Sequence, residues 1–195
     1  MSKTTSIPYG RQTIDEADLR AVAKALRSDW LTQGPRVAEF EAALARTAGA
    51  AYAVAFSNGT AALQAAYAAA GLKSGDEFIT TPLTFASTAT AGLWQGARPV
   101  FADIDPATGN LDLKACEAAL TSQTRALVPV DYAGLPADLE GFRALAKRKG
   151  LTLISDACHS LGATRRGKRV GSLADMTVFS FHPVKTITTG EGGAV

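Results

Sequence analysis

The chain is poor in the residues that mark disulfide-linked, metal-binding or membrane proteins. It has 2 cysteines and 2 histidines in 195 residues. Cys116 and Cys158 are far apart and form no CxxC pair, which predicts free thiols in a reducing compartment. No stretch has the roughly 20 apolar residues that a membrane helix needs, and the first residues lack the apolar core of a signal peptide. We therefore expect a cytoplasmic protein that binds no membrane.

The chain also has no large excess of positive or negative charge. The 20 Lys and Arg residues nearly balance the 18 Asp and Glu residues, which leaves a net charge of +2. The one basic cluster, residues 147–149, ends a helical pattern, where the helix dipole favours cations. The composition therefore gives no basis for binding nucleic acid. Apolar residues make up 47% of the chain, enough for one compact core over residues 1–195.

Helical and extended patterns alternate along the chain. The strands are short and apolar on both faces, which is typical of a mostly parallel sheet with helices on both sides. We predict an α/β fold in which Ser57 or Asn58 caps the third helix and Gly71 ends it. A further strand begins near Val195. The predicted helices are residues 15–28, 36–48, 57–71, 85–96, 112–120 and 136–150, the last with Pro136 near its first turn. The predicted strands are residues 52–56, 77–81, 99–104, 125–130, 151–155 and 177–181.

Polar side chains follow five of the predicted strands. In open parallel α/β sheets, ligands bind beyond the carboxyl ends of the strands. Residues in these positions should therefore lie along one edge of the sheet, although the order of the strands cannot be derived from the pattern. The segments are 57–60, 81–85, 131–132, 156–159 and 182–185.

Two of these segments have a purely structural alternative. Gly59 and Thr60 open a helix, where they form either part of an ordinary N-cap or a cradle for an anion such as phosphate. Asp156 either caps a turn or holds a positive charge, such as a protonated ring nitrogen. A zinc site that includes Cys158 and His159 is a third interpretation, but the spacings match no zinc motif.

Lys185 differs from the scattered surface lysines in its neighbours. It follows the apolar run "VFSFHPV" and precedes "TITTGEGG". The one acidic residue in these two runs is Glu191. An amine in desolvated surroundings gives up its proton more readily and becomes a nucleophile, as Schiff-base chemistry requires. The alternative is a solvated surface charge. A phosphate cradle, the aromatic Phe85, the acid Asp156 and this lysine form the set that pyridoxal phosphate (PLP) needs.

The sequence resembles the DegT/DnrJ/EryC1/StrS family of PLP-dependent sugar aminotransferases over nearly its whole length. The resemblance implies the large domain of a fold type I PLP enzyme, similar to aspartate aminotransferase. Residues 1–195 would hold the N-terminal arm and most of this domain, without the small C-terminal domain. The motifs that carry the resemblance are "LTQGP" at 31–35, "FSNGTAALQAA" at 56–66, "ITTPLTFASTATA" at 79–91, "PVFADIDPATGNLD" at 99–112, "SDACHSLGA" at 155–163 and "FSFHPVKTITTGEGGAV" at 179–195.

The resemblance also implies a role for each matched residue. Lys185 would be the catalytic residue, which carries the cofactor and shuttles a proton. Asp156 would pair with the pyridine nitrogen. No metal is implied. Gly59, Thr60 and Ser180 would bind the phosphate, Phe85 would cover one face of the ring, His159 would lie near its phenolic oxygen, and Tyr9 and Thr32 would contact the nucleotide-sugar.

Within the family, "VDYAG" at 130–134 resembles the branch that makes pseudaminic-acid precursors. That branch implies a homodimer that aminates a UDP-linked 4-keto-6-deoxy-N-acetylhexosamine at C4, with L-glutamate as the amino donor. Two alternatives stay open. One is a keto-sugar dehydratase that uses the aminated cofactor, but those relatives have histidine where Lys185 stands. The other is a non-catalytic regulatory or sensory protein of the same fold.

Overall fold

The computed structural model describes residue 8 and residues 10–195, in which helices and strands alternate. The α-helices are α1 (Glu16–Leu26), α2 (Pro35–Ala48), α3 (Gly59–Ala69), α4 (Ser87–Leu93), α5 (Leu113–Ala118) and α6 (Leu139–Lys149). The strands are β1 (Ala55–Phe56), β2 (Glu77–Thr80), β3 (Arg98–Phe101), β4 (Thr124–Leu127), β5 (Thr152–Asp156), β6 (Thr164–Arg165), β7 (Lys168–Arg169), β8 (Met176–Ser180) and β9 (Gly193–Ala194). Short 3₁₀ turns cover Tyr132–Gly134 and Val170–Ser172.

Seven strands form one sheet, in the order β1-β9-β8-β5-β4-β2-β3. All neighbours from β3 to β8 are parallel. Strand β9 is antiparallel to both β8 and β1, so β1 points in the same direction as the parallel strands. The sheet is therefore mostly parallel, as predicted, and the carboxyl ends of β1, β2, β4, β5 and β8 lie along one edge.

Apolar side chains hold helices against both faces of this sheet. On one face, Tyr67 of α3 packs with Phe78 and Ile154 of the sheet. On the other face, Phe142 of α6 packs with Leu153. All five side chains are almost completely buried, and each contributes roughly 1.5–3 kcal/mol through the area removed from water. The sheet edge is thus a rigid support for the polar residues that follow the strands.

Local signals set the ends of two helices as predicted. The side chain of Asn58 accepts a hydrogen bond from the N–H of Ala61 and caps α3. Gly71 follows α3 with a φ of 74°, a left-handed conformation that glycine adopts without strain. Gly150 ends α6 in the same way, with a φ of 66°.

Several predicted elements differ from the structure at their ends. Regular strand structure in the region predicted as 52–56 covers only Ala55–Phe56. Pro136 does not lie in the first turn of a helix, because α6 begins at Leu139. The hairpin of β6 and β7 was not predicted, since its two-residue strands are too short and too polar to show an alternating pattern. The strand expected at the chain's last residues is β9, Gly193–Ala194.

Helix α1 forms as predicted, but it covers no core. The side chains of Leu19, Val22 and Leu26 share one face and are 54%, 58% and 64% exposed. In the described part of the chain, no helix combines the length and the apolar character needed to cross a membrane. The cytoplasmic location stays a prediction.

Candidate active site

The carboxyl-terminal edge of the sheet collects most of the predicted site residues. Because β1, β2, β4, β5 and β8 point the same way, the polar segments that follow them meet there. Hydrogen bonds and close approaches link neighbouring segments. The segments are residues 57–60 after β1, 81–88 after β2, 131–134 near the end of β4, 156–160 at the end of β5 and 180–185 at the end of β8.

The beginning of α3 forms the anion-binding end of the site. The N–H groups of Gly59 and Thr60 lie in its first turn, where backbone donors lack an intrahelical partner and the dipole favours negative charge. A Cβ atom on Gly59 would lie only 3.0 Å from Cβ of Ser180, so glycine permits this close approach. The hydroxyl of Thr60 lies 2.7 Å from the hydroxyl of Ser87 at the start of α4. These groups together are a donor set suited to a phosphate.

Asp156 is a buried carboxylate at the end of β5. Its Oδ2 accepts a hydrogen bond from the hydroxyl of Thr88 at 2.7 Å, and its Oδ1 accepts one from the N–H of Cys158 at 3.3 Å. The ion pairs found in the described part of the chain do not include Asp156. Since a buried carboxylate is costly without a cation, this one is suited to receive a cationic ligand group.

Lys185 and His159 are hydrogen-bonded to each other at this edge. Nζ of Lys185 lies 2.7 Å from Nε2 of His159. Burial is the main cause that lowers the pKa of His159 from its ordinary 6.5, and the positive charge of Lys185 lowers it further. The negative charge of Asp156 has the opposite, smaller effect. His159 is therefore neutral at pH 7. Which of the two groups donates depends on which ring nitrogen of His159 carries the hydrogen. The side chain that contacts the amine of Lys185 is thus an imidazole.

Cys158 lies inside the site, but its thiol is not activated. A Cβ atom on Gly59 would lie 3.4 Å from its Sγ. Burial, and next the negative charge of Asp156, raise the pKa of the Cys158 thiol well above its ordinary value. The thiol is therefore protonated at neutral pH and is a poor nucleophile. Across residue 8 and residues 10–195, no group of three or more His, Cys, Asp and Glu side chains is arranged to hold a metal ion.

Asp131 is a second buried carboxylate at the sheet edge, and no specific role was predicted for it. Its Oδ2 accepts a hydrogen bond from the hydroxyl of Ser160 at 2.6 Å, and its Oδ1 accepts one from the N–H of Ala137 at 2.9 Å. Burial raises the pKa of Asp131 to about 6. These two hydrogen bonds and the charge of Arg165 lower the pKa of Asp131, whereas the charge of Asp156 raises it further. Asp131 thus ties the turn after β5 to the loop after β4.

Replacing Asp131 with asparagine should flatten the pH dependence of stability between pH 4 and pH 7. The pKa in the folded protein, about 6, lies above the ordinary 3.8, so the unfolded chain releases this proton first. The contribution of Asp131 to the free energy of unfolding therefore falls as the pH rises through this interval, by about 3 kcal/mol for a pKa difference of about two units. Urea unfolding at a series of pH values measures the difference. The exposed Asp29→Asn is the control, and an equal pH dependence in Asp131→Asn and wild type would contradict the expectation.

The loop after β2 holds one predicted residue and two that the sequence did not reveal. Phe85 accepts a backbone hydrogen bond from Thr88, and its ring is 75% exposed, free to cover a planar ligand. Ser87 and Thr88 bond to Thr60 and Asp156. The available signal was the run of hydroxyl residues in "TTPLTFASTATA", but a run alone does not say which hydroxyls face the site.

Thr32, one of the two residues predicted to contact the nucleotide-sugar, lies apart from this network. Thr32 is in the exposed segment between α1 and α2, and it makes no hydrogen bond to the site within the described residues. Tyr9 lies outside the described residues. Gly10 does approach the site, since a Cβ atom there would lie 3.5 Å from Cγ1 of Val184, next to Lys185.

A lysine, a buried carboxylate without a cation and a helix N-terminus with hydroxyls thus meet at one edge of a mostly parallel sheet. The model of the DegT/DnrJ/EryC1/StrS aminotransferase family matches residues 12–195. The chain belongs to this family. The predicted family and fold class are therefore confirmed.

Relatives in this aminotransferase family match the chain in sequence and in structure. UDP-4-amino-4,6-dideoxy-N-acetyl-beta-L-altrosamine transaminase of Campylobacter jejuni is 46% identical over 192 residues, which are 97% of this chain and 50% of that protein. Helicobacter pylori PseC, an aminotransferase involved in the biosynthesis of pseudoaminic acid, has a TM-score of 0.92 and 40% identity over 97% of this chain and 52% of its own. Spr1654 of Streptococcus pneumoniae, solved in its PLP form, has a TM-score of 0.94 and 33% identity over the same shares, 97% and 52%. The chain therefore spans about half the length of the relatives it matches.

The predicted cofactor, pyridoxal phosphate, is confirmed by the family and by the structure solved in its PLP form. The residues present fit it. Gly59 leaves room for close approach at a helix N-terminus, and Asp156 lacks a cation that a pyridinium nitrogen would supply. The amine of Lys185 is hydrogen-bonded to a neutral imidazole. The roles of the individual residues stay predictions.

Proposed function

We propose that the protein is a PLP-dependent nucleotide-sugar aminotransferase. It moves an amino group from L-glutamate to C4 of a nucleotide-linked 4-keto-6-deoxy-N-acetylhexosamine. The observation that carries the proposal is the location of Lys185 and Asp156 on the same sheet edge as the anion-binding end of α3. Membership of an aminotransferase family and the activity named for the C. jejuni relative support it.

Two residues of the chain perform the acid–base work. When bound, PLP supplies an aldehyde that condenses with amines and a ring that withdraws electrons while its nitrogen is protonated. Asp156 keeps a proton on that nitrogen, because a buried carboxylate without a cation favours a positively charged partner. Nζ of Lys185 would hold the aldehyde when no substrate is bound. Once released, the same amine would carry a proton between the substrate carbon that bears nitrogen and the cofactor's former aldehyde carbon, on the other side of that nitrogen.

The other residues bind and orient. Gly59, Thr60 and Ser180 hold the phosphate, and Phe85 covers one face of the ring. His159, neutral at pH 7, is hydrogen-bonded to Lys185 and keeps the amine at the site when no carbonyl is bound. Its position beside Lys185 supports a contact with the phenolic oxygen of the ring.

The two alternative functions each lack support at a particular residue. A dehydratase that uses the aminated cofactor replaces the lysine with histidine, whereas this chain has Lys185. A regulatory protein needs no proton-transfer group, whereas Lys185 here is hydrogen-bonded to a neutral imidazole and lies at the same edge as a buried acid. Absorbance of the bound cofactor combined with nitrogen transfer from glutamate separates these functions, because a regulator would bind PLP without turnover.

The acceptor sugar is assigned from motifs and from relatives. "VDYAG" at 130–134 resembles the pseudaminic-acid branch, and both the C. jejuni and H. pylori relatives are named for reactions of that kind. Thr32 and Tyr9 would contact the nucleotide.

A single-turnover assay tests this acceptor. The purified protein is first converted to its aminated form with L-glutamate and then mixed with UDP- or dTDP-linked 4-keto-6-deoxy sugars. We expect the absorbance of the lysine-bound cofactor to return with the UDP-linked N-acetylhexosamine, at least about tenfold faster than with the dTDP sugar. Turnover with dTDP sugars alone would replace the proposed nucleotide. Turnover with small keto acids and with no keto-sugar would remove the protein from sugar metabolism.

We also propose that the complete protein is a homodimer in which the partner completes the phosphate site, with residues 1–195 as the N-terminal arm and most of the large domain. The apolar side chains of Leu93 and Trp94, at the end of α4, are 53% and 60% exposed and support a surface that a partner covers. Light scattering during size-exclusion chromatography should give twice the monomer mass. A fully active monomer at assay concentration would contradict the dimer.

A further inference from the structure

Thr88 is the residue in direct contact with Asp156 that no motif assigned. Its side chain is completely buried, and its Oγ1 lies 2.7 Å from Oδ2 of Asp156. The two residues are 68 positions apart in the chain, so the contact depends on the tertiary fold, which brings the first turn of α4 to the end of β5. A buried hydroxyl needs a partner, but several backbone carbonyls could serve as one. The hydroxyl of Thr88 instead donates to the carboxylate of Asp156, which indicates a role for Thr88 at the site.

The hydrogen bonds around Thr88 run in one direction. An ionised carboxylate can only accept, so the hydroxyl hydrogen of Thr88 goes to Asp156. Oγ1 of Thr88 is then free to accept, and the hydroxyl of Thr84 lies 2.6 Å away. The hydroxyl of Thr84 thus donates to Thr88, and Thr88 donates to Asp156. Such a chain strengthens its members, because each donor polarises the next.

Thr88 is itself held in place from the opposite side. The hydroxyl of Tyr67 donates to the backbone carbonyl of Thr88 at 2.5 Å, and Tyr67 is completely buried in the core beside Phe78. Burial, and next the charge of Asp156, raise the pKa of Tyr67 well above its ordinary value, so its hydroxyl stays a donor at every pH at which the protein works. The first turn of α4 is thereby anchored to α3.

We propose that Thr88 is a positioning residue for the cofactor's ring nitrogen. It fixes the rotation of the Asp156 carboxylate, with the N–H of Cys158 as the second anchor on Oδ1. Ser87, its neighbour, bonds to Thr60 at the phosphate end. One turn of α4 therefore sets the geometry between both ends of the cofactor site. The proposal rests on the proposed pairing of Asp156 with the ring nitrogen.

Thr88→Val tests the proposal, because valine keeps the branched shape and removes the donor. We expect kcat to fall roughly 10- to 100-fold with little change in KM for glutamate, the effect of losing a hydrogen bond to a charged group. We also expect PLP to bind roughly 3- to 10-fold more weakly, and the pH midpoint of the bound-cofactor absorbance to move in the same direction as in Asp156→Asn. Thr88→Ser should restore all three values to within about threefold of wild type. Thr90→Val, an exposed change on the same helix, is the control and should change none of them.

The variants separate the failure of this inference from the failure of the proposed function. If Asp156→Asn changes the absorbance and PLP affinity but Thr88→Val does not, Thr88 only satisfies a buried hydroxyl and the inference is overturned. If Asp156→Asn itself changes neither, the pairing with the ring nitrogen is wrong, and the inference falls with it. Should Thr88→Val not fold, Thr84→Val decides in its place. A shift of the absorbance midpoint in the same direction supports the chain of hydroxyls, and no shift overturns it.

Discussion

Replacing Lys185 with alanine is expected to lower the rate of amino transfer by roughly five to six orders of magnitude, the size of loss that follows removal of a covalent catalyst's nucleophile. The change removes both the amine that binds the cofactor aldehyde and the base that moves the proton. His159, 2.7 Å away in the wild type, cannot replace it, because burial lowers its pKa and makes it a weak base. Steady-state assay with glutamate and the keto-sugar measures the loss.

Lys168→Ala is the matched control for that variant. Lys168 is an exposed lysine in β7, and its removal should leave the rate within about twofold of wild type. Small primary amines added to Lys185→Ala should restore part of the activity, in proportion to their concentration, since they can move the proton without being attached. A Lys185→Ala rate within about tenfold of wild type would show that another group performs the chemistry.

Replacing Asp156 with asparagine is expected to slow amino transfer by about three orders of magnitude, or about 4 kcal/mol in the barrier, while PLP stays bound. Asparagine keeps the shape and can still accept the hydrogen bond from Thr88. It cannot stabilise a proton on the ring nitrogen, so the ring withdraws electrons poorly from the substrate carbon. Single-turnover absorbance measures the proton-transfer step separately from cofactor binding.

Asp103→Asn is a close control for Asp156→Asn. Asp103 also lies just beyond the end of a strand, β3, but it is exposed, and its carboxylate accepts a hydrogen bond from the neighbouring N–H of Ile104. We expect its removal to leave the rate near wild type. A near wild-type rate in Asp156→Asn would show that this carboxylate only caps the turn before Cys158.

Signals within a few residues predicted much of the fold and part of the site. The cap at Asn58 and the glycine stops at Gly71 and Gly150 appear where the sequence indicated, because each depends on a local backbone conformation. The same holds for the sheet edge. Once the strands are parallel, residues such as Asp156 and Lys185 must follow strand ends on one side, whatever the strand order.

The contacts between these residues could not be predicted, because they depend on the strand order. Thr88 meets Asp156 across 68 positions and Thr60 meets Ser87 across 27, and no pattern in either segment identifies its partner. Strand β9 lies between β1 and β8 and brings the N-terminus of α3 close to Ser180. Helix α1 is a different case. Its apolar periodicity predicted a helix correctly, but periodicity does not identify the surface against which the apolar face packs, and that face is exposed.

Reduction of the PLP-loaded protein with borohydride, followed by peptide mapping, tests the central claim most directly. Borohydride converts a lysine–cofactor linkage to a stable amine, and trypsin cannot cut after a modified lysine. We predict that the cofactor mass appears on the peptide that begins at Val170, with cleavage after Lys185 lost. Label on Lys147 or Lys168, or complete cleavage after Lys185 in the reduced protein, would contradict the assignment of this lysine as the catalytic residue.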